Sequence, residues 1–249
     1  MGAASWPYPR LIAHRGGGSA APENTLAGLR AGHAAGFRGV EFDVMLSADG
    51  TPHLIHDDTL ERTTNGRGPV GAATDQELAR LDAGAWHSPA FVGEPVPTLT
   101  EAGKLCRQLG LWANVEIKPY PGTEIATGHR VAALAAEIWR DAALPPLLSS
   151  FSGDALRAAR EMASHLPRAL LVTEVPTDWQ AHLAALDALA LHCSHRAITP
   201  ELATAVQAAG YGLACYTVNE AVRIQSLWAM GVDGVFTDRL DLQGLASGI

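Results

Sequence analysis

The feature that most constrains this chain is an alternation, sustained from end to end, of short apolar runs with Ala- and Leu-rich helical patterns. The runs that read as strands are "RLIAH", "GVEFDVML", "PHLIHD", "LWANVEIK", "PLLSSF", "RALLV", "LALHCS", "GLACYTV" and "DGVFTD". Segments with helical periodicity lie between most of them, among them 98–109, 129–142, 152–164, 200–209 and 219–230. In a chain of 249 residues this predicts an α/β fold, either a (β/α)8 barrel or an open doubly wound sheet. Nine candidate strands are one too many for the barrel, and spacing identifies the surplus. Only Ala48, Asp49 and Gly50 separate the second run from "PHLIHD", whereas parallel strands need a crossover of a dozen residues or more. The third run is therefore expected to turn back as a hairpin arm, pairing 47 with 52 and setting Asp43 opposite His56. Eight strands remain, and a TIM barrel forming one domain over 1–249 follows.

One stretch breaks the alternation. Residues 57–97 are rich in turn formers, with a short helical piece near 75–82, and read as a small inserted cap over one end of the barrel. Over the whole chain the composition is that of a large-cored protein, 47% hydrophobic, with no apolar run near the roughly 20 residues of a membrane span. The first ten residues lack a basic start followed by an apolar stretch, so the cytoplasm is the expected compartment. Cys106, Cys193 and Cys215 are odd in number and lack CxxC spacing, which points to buried thiols. A net charge of −8 with no Lys/Arg cluster argues against a nucleic-acid partner. Oligomeric state stays open, a homodimer being one option.

Function in such a barrel sits at the C-terminal ends of the strands. The first run ends in His14-Arg15 and enters "GGGSAAPENT", where Asn24 or Thr25 can cap a helix that Gly36 ends. The second run carries Glu41 and Asp43 two apart, hence on one face, the arm returns His56, and "WANVEIKP" adds Glu116 and Lys118 on one face. Three carboxylates this close need a counter-charge. A divalent hard cation, magnesium or calcium, suits an all-oxygen set; zinc held by the histidines, or a metal-free ion-pair network, are the alternatives. Arg15 and Lys118 are donors suited to a phosphate, and two histidines beside a hard cation suggest phosphoryl chemistry by general acid–base catalysis. His33, His129, His165 and His182 read as surface residues, His53 should face away from His56, and His192 or His195 could line the mouth. Trp139 and Trp228 suit helix-to-barrel packing, whereas Trp86 could cover the site.

"HRGGGSAAPENT", "VEFDVMLSADGTPHLIHDDTLERTTNGRG", "NVEIKP", "SSF", "YTVN" and "GVDGVFTD" together resemble the signature of the glycerophosphodiester phosphodiesterases, in the right order from about residue 10 to 240. The resemblance implies an (αβ)8 barrel with an inserted cap, one divalent cation, and hydrolysis of small glycerophosphodiesters to sn-glycerol 3-phosphate and an alcohol. Position by position it makes His14 and His56 the acid–base pair, Glu41, Asp43 and Glu116 the metal ligands, and Arg15 and Lys118 the phosphate contacts. Tyr216 stands where many relatives carry tryptophan. A catalytically silent phosphodiester-binding relative would be expected to lose one of these groups. A phospholipase D-like enzyme acting on lysolipids would need an apolar or basic docking surface that "TTNGRGPVGAATDQE" does not offer, so no stable membrane association is expected.

Overall fold

The computed structural model describes residues 6–248 and contains a closed barrel of eight parallel strands. These are β1 (Leu11–Ala13), β2 (Gly39–Leu46), β4 (Trp112–Ile117), β5 (Leu147–Ser150), β6 (Arg168–Val172), β7 (Ala190–Ser194), β8 (Gly212–Tyr216) and β9 (Gly234–Thr237). Neighbours pair in chain order, and β1 closes the ring by pairing with both β9 and β2. β3 (Pro52–Leu54) runs antiparallel on the far half of β2, the hairpin arm that the short connection demanded. Its register differs by one residue from the expected pairing of 47 with 52. Leu46 faces Pro52, and Ser47 N–H donates to Thr51 O at 3.0 Å, so Asp43 meets Ile55 rather than His56. The turn closes on a three-residue loop whose Gly50 takes φ +77°, the left-handed position such a loop needs. His56 follows one residue beyond the ladder, still at the mouth of the barrel.

Helices α1 (Leu26–Ala34), α3 (Leu99–Leu109), α4 (Glu124–Ile138), α5 (Gly153–Met162), α6 (Trp179–Leu186), α7 (Pro200–Ala208) and α8 (Ala221–Ala229) surround the strands. The local causes are visible in α3. Thr98 and Glu101 form a reciprocal capping box, Gly110 ends the helix at φ +65°, and Leu99, Ala102, Leu105 and Cys106 line the buried stripe. Burying each leucine contributes about 1.5–3 kcal/mol, and the cap about 1 kcal/mol. Helix α4 begins five residues earlier than its periodicity suggests, at 124 rather than 129, because its apolar Ile125 is exposed and its buried face starts with Thr127 and Gly128, which carry no apolar signal. Along β2 the strand alternation sorts chemistry: Val40, Phe42 and Val44 pack under the helices, and Glu41 and Asp43 point inward.

At the N-terminal end the barrel is closed by aromatic side chains. Tyr8 stacks on Trp112 with centroids 4.4 Å apart, and Trp6 meets Tyr8 edge-on at 5.0 Å. Gly212 and Gly234 leave the room Trp6 occupies, since a Cβ on either would come within 2.8 Å of its ring. Residues 57–97 hold α2 (Asp75–Leu78) and two short 3-10 turns, Val70–Ala72 and Pro89–Phe91, over a small core of Met45, Ile55, Leu60, Val70 and Leu78. This stretch touches the loop after β1 through Arg62–Glu23 and through His87 to Ser19 O, and the first turn of α1 through Glu94 to Ala27 N–H. All three thiols are buried and free. No helix among the described residues is long and apolar enough to cross a membrane.

Candidate active site

The loop after β1 approaches the end of β9 closely enough to fix the first histidine. Ser19 N–H donates to Asp238 O at 2.8 Å, and Gly18 (φ +52°) allows it, because a Cβ there would sit 2.2 Å from that oxygen. His14 Nδ1 then donates to Asp238 Oδ1 at 2.7 Å. Asn219 holds that carboxylate in place, with its Nδ2 donating to Asp238 Oδ2 and its Oδ1 accepting from Asp238 N–H, both at 2.8 Å. Arg15 follows in the left-handed region at φ +50°, which costs about 1–2 kcal/mol for a side-chain-bearing residue. Its N–H reaches Glu41 Oε2 at 2.9 Å, and its guanidinium donates to Glu23 at 2.7 Å.

The carboxylates come from adjacent strands in register. Asp43 lies opposite Glu116 and Glu41 opposite Asn114 along the β2–β4 ladder. Oxygens of Glu41, Asp43 and Glu116 all lie within 4.8 Å of one another, and all three residues are buried. Burial, then Asp43 and Glu116, push Glu41 well above the usual carboxylate range. Burial and Asp43 push Glu116 up to about 8. Asp43 goes the other way: burial opposes its ionisation, but Lys118, Arg15, His56 and a hydrogen bond from Asn24 outweigh it. Lys118 Nζ stands 3.6 Å from Asp43 and 3.7 Å from Glu116, and Arg15 Nε stands 3.6 Å from Asp43, so these cations compensate the cluster without binding it tightly. Glu41 Oε1 is buried without a hydrogen-bond partner.

His56 completes the arrangement. Its Nδ1 donates to Asp57 Oδ1 at 2.6 Å. Burial lowers its pKa, and Arg15 and Lys118 add to this against Asp43 and Asp57. Both imidazoles therefore have Nδ1 tied to a carboxylate, which leaves Nε2 as the free nitrogen. The seven residues expected at the site, His14, Arg15, Glu41, Asp43, His56, Glu116 and Lys118, line one cavity of about 180 Å³, with Phe151, Leu171, Tyr216 and Phe236 forming an apolar wall. Tyr216 is fixed there by its hydroxyl, which donates to Val172 O at 2.8 Å.

Residues 14–242 match the family model of the glycerophosphoryl diester phosphodiesterases. The chain belongs to that family. It is 35% identical over 233 residues to a glycerophosphodiester phosphodiesterase of Caldanaerobacter subterraneus, covering 92% of this chain and 93% of the relative. A Bacillus altitudinis glycerophosphodiester phosphodiesterase is 31% identical over 236 residues, with 92% and 94% covered. Among solved structures, a phosphodiesterase of Oleispira antarctica in complex with the product sn-glycerol-3-phosphate superposes with a TM-score of 0.90 at 37% identity, covering 97% of this chain and 98% of that one. The glycerophosphodiester phosphodiesterase of Agrobacterium tumefaciens gives 0.79 at 28%, with 96% and 99% covered. The chain is thus a glycerophosphodiester phosphodiesterase with the family's barrel.

Several residues of the enzyme's site went unnoticed in the sequence. Of the two cap candidates, Thr25 caps α1, its side chain accepting from Gly28 N–H. Asn24 instead takes φ +55°, donates to Asp43 Oδ2 at 2.9 Å and accepts from Asp43 N–H at 3.0 Å. Asp57, beside His56, and Asp238, at the end of β9, obey the same strand-end logic as the expected residues and could have been found by it. Arg62 gave no signal, since its partners Glu23 and Asp57 lie far apart in the chain. His192 and His195 do not line the cavity; His192 is buried lower in the barrel against Phe236, with ring centroids 5.2 Å apart. His53 faces away and meets Asp75 at 3.2 Å. Trp86 lines a second, more open hollow beside His14 and Arg15.

Proposed function

We propose that this enzyme hydrolyses small glycerophosphodiesters to sn-glycerol 3-phosphate and an alcohol by two-histidine acid–base catalysis at a single magnesium or calcium ion. The observation that carries the reading is the pair of imidazoles, each anchored at Nδ1, lining one cavity with three buried carboxylates. The product named in the Oleispira antarctica complex supports the substrate class.

The residues present fit a hard cation. Glu41, Asp43 and Glu116 offer an all-oxygen donor set, the orphaned Glu41 Oε1 lacks any other partner, and two of the three carboxyls resist ionisation without added positive charge. When bound, the cation supplies Lewis-acid stabilisation of charge on the phosphoryl oxygens. Arg15 and Lys118 face the same cavity and would hold the phosphate. The nucleophile in this reading is the substrate's own glycerol 2-hydroxyl. His14 takes its proton as the oxygen bonds to phosphorus, His56 protonates the departing alkoxide, and a cyclic phosphate remains. Water then opens the ring with the two roles exchanged. Each histidine accounts for about 10²–10⁴-fold, and an internal nucleophile gains from proximity. Assigning the acid to His56 follows from its attachment to Asp57 and so to the 57–97 stretch, which we read as a cap on the leaving-group side. Three unpaired buried thiols are in keeping with a reducing compartment such as the cytoplasm.

A 2-deoxy glycerophosphodiester tests the chemistry. Turnover should nearly vanish on it while binding survives, and near-normal turnover would mean that water attacks directly. Chelation should abolish activity and added magnesium or calcium should restore it; full activity in a metal-free sample would overturn the metal reading.

A further inference from the structure

One of the contacts between the 57–97 stretch and the loop after β1 is a guanidinium that reaches carboxylates on both segments. Arg62 Nε and Nη2 grip the two oxygens of Asp57 at 2.5 and 2.8 Å, and Nη1 and Nη2 grip those of Glu23 at 2.7 and 2.9 Å. Each carboxylate then passes the contact inward. Asp57 Oδ1 also accepts from His56 Nδ1, and Glu23 Oε1 also accepts from Arg15 Nη1. Arg62 does not line the reaction cavity or the hollow beside it. Its donors are turned to the two carboxylates rather than to the place of a substrate.

We propose that Arg62 is a positioning residue for the hydrolysis, a clasp that orients His56 through Asp57 and Arg15 through Glu23. Isolated surface ion pairs contribute little, but this one has fork geometry on both carboxylates and ends at two groups assigned to the chemistry. It also decides a proton's location. Hydrogen bonding from Arg62, more than any other influence, holds Asp57 ionised well below the usual carboxylate range. An ionised Asp57 can only accept, so His56 keeps a proton on Nδ1, and the proton it gives the leaving group is a second one carried on the cavity-facing Nε2. A lysine keeps the charge but cannot span two carboxylates with four directed N–H bonds.

The inference rests on the reading of His56 as the acid, so the experiment separates the two. R62Q, R62K and H56A are compared with the wild type on glycerophosphocholine and on a nitrophenyl diester of glycerol phosphate, whose leaving group needs no protonation. R62Q should lose about 10–100-fold in kcat on the choline ester, much less on the nitrophenyl ester, and R62K should recover less than threefold of it. Histidine ¹⁵N spectra of the magnesium-loaded enzyme, followed through the His56 titration, should show the neutral form protonated at Nδ1 in the wild type and as a tautomer mixture in R62Q. Full activity in R62Q, full rescue by R62K, or an unchanged His56 tautomer would overturn the clasp. If H56A shows no leaving-group dependence, the reading of His56 as acid fails, while the tautomer comparison still decides the role of Arg62. Should R62Q fold poorly, the same spectra and rates on R62K, which keeps the charge, decide it.

Discussion

The two ends of the barrel are made by the same eight strands with the same in-and-out alternation, yet they meet opposite environments. At the C-terminal mouth the inward positions are Glu41, Asp43, Glu116 and His14, buried polar groups crowded until two carboxyls resist ionisation. At the N-terminal floor they are Ile12, Trp112, Leu147, Ala169, Ala190 and Ala214, plugged by Trp6 and Tyr8. The mouth stores electrostatic tension, and the floor supplies apolar burial that tolerates it. Stability and chemistry are thereby separated by about a strand's length within one core.

That contrast can be broken by exchanging what each end contributes. The largest effect should come from Glu41→Gln, which removes one ionisable carboxyl from the cluster and keeps its shape. Activity should fall about 10³-fold or more, while stability in metal-free buffer rises by about 0.5–2 kcal/mol. Denaturant melts with and without magnesium would show both, and a less stable metal-free variant would contradict the idea of stored tension. Trp112→Ala should do the reverse at the floor. It should cost about 3–5 kcal/mol, since Trp112 stacks on Tyr8 and donates to Pro145 O at 3.0 Å. Activity per folded molecule should stay within twofold.

His192 lies between the two regimes, fully buried with neither ring nitrogen partnered, and burial pushes it down to about 3. The unfolded chain, with a value near 6.5, binds more protons in between. Wild-type stability should therefore decline as pH falls from about 6.5 towards 3, by up to about 1.4 kcal/mol per unit. His192→Leu should flatten that slope, read as a smaller change in urea midpoint between pH 7 and pH 5. An identical slope would mean that the imidazole is not held neutral. The smallest change should follow Thr98→Ala, about 1 kcal/mol from loss of the α3 cap with no effect on kcat.

Legibility followed the range of the interactions. Glu41 with Asp43, and Glu116 with Lys118, were readable because strand alternation puts residues two apart on one face, and the strand-end rule brought His14 and His56 beside them. Asp238 was equally local to its strand but acts across 224 positions on His14, and no spacing announces that pairing. Asn24 and Thr25 fit a cap equally well by letter; only the left-handed turn at φ +55° leaves the cap to Thr25 and sends the Asn24 side chain to Asp43. The hairpin was readable from its three-residue connection, but its register was not, because a one-residue slip turns on the geometry around Gly50 rather than on composition.

The sequence by itself determined the alternation, hence the barrel, and which strand ends carry charge, because period and hydrophobicity act over a few neighbouring residues. Tertiary structure decided which carboxylate anchors each histidine, how Arg62 joins two distant loops, and that Trp6 and Tyr8 seal the floor. Those are contacts between segments far apart in the chain. Their geometry exists only once the ring of strands has closed and brought the ends of β1 and β9 together.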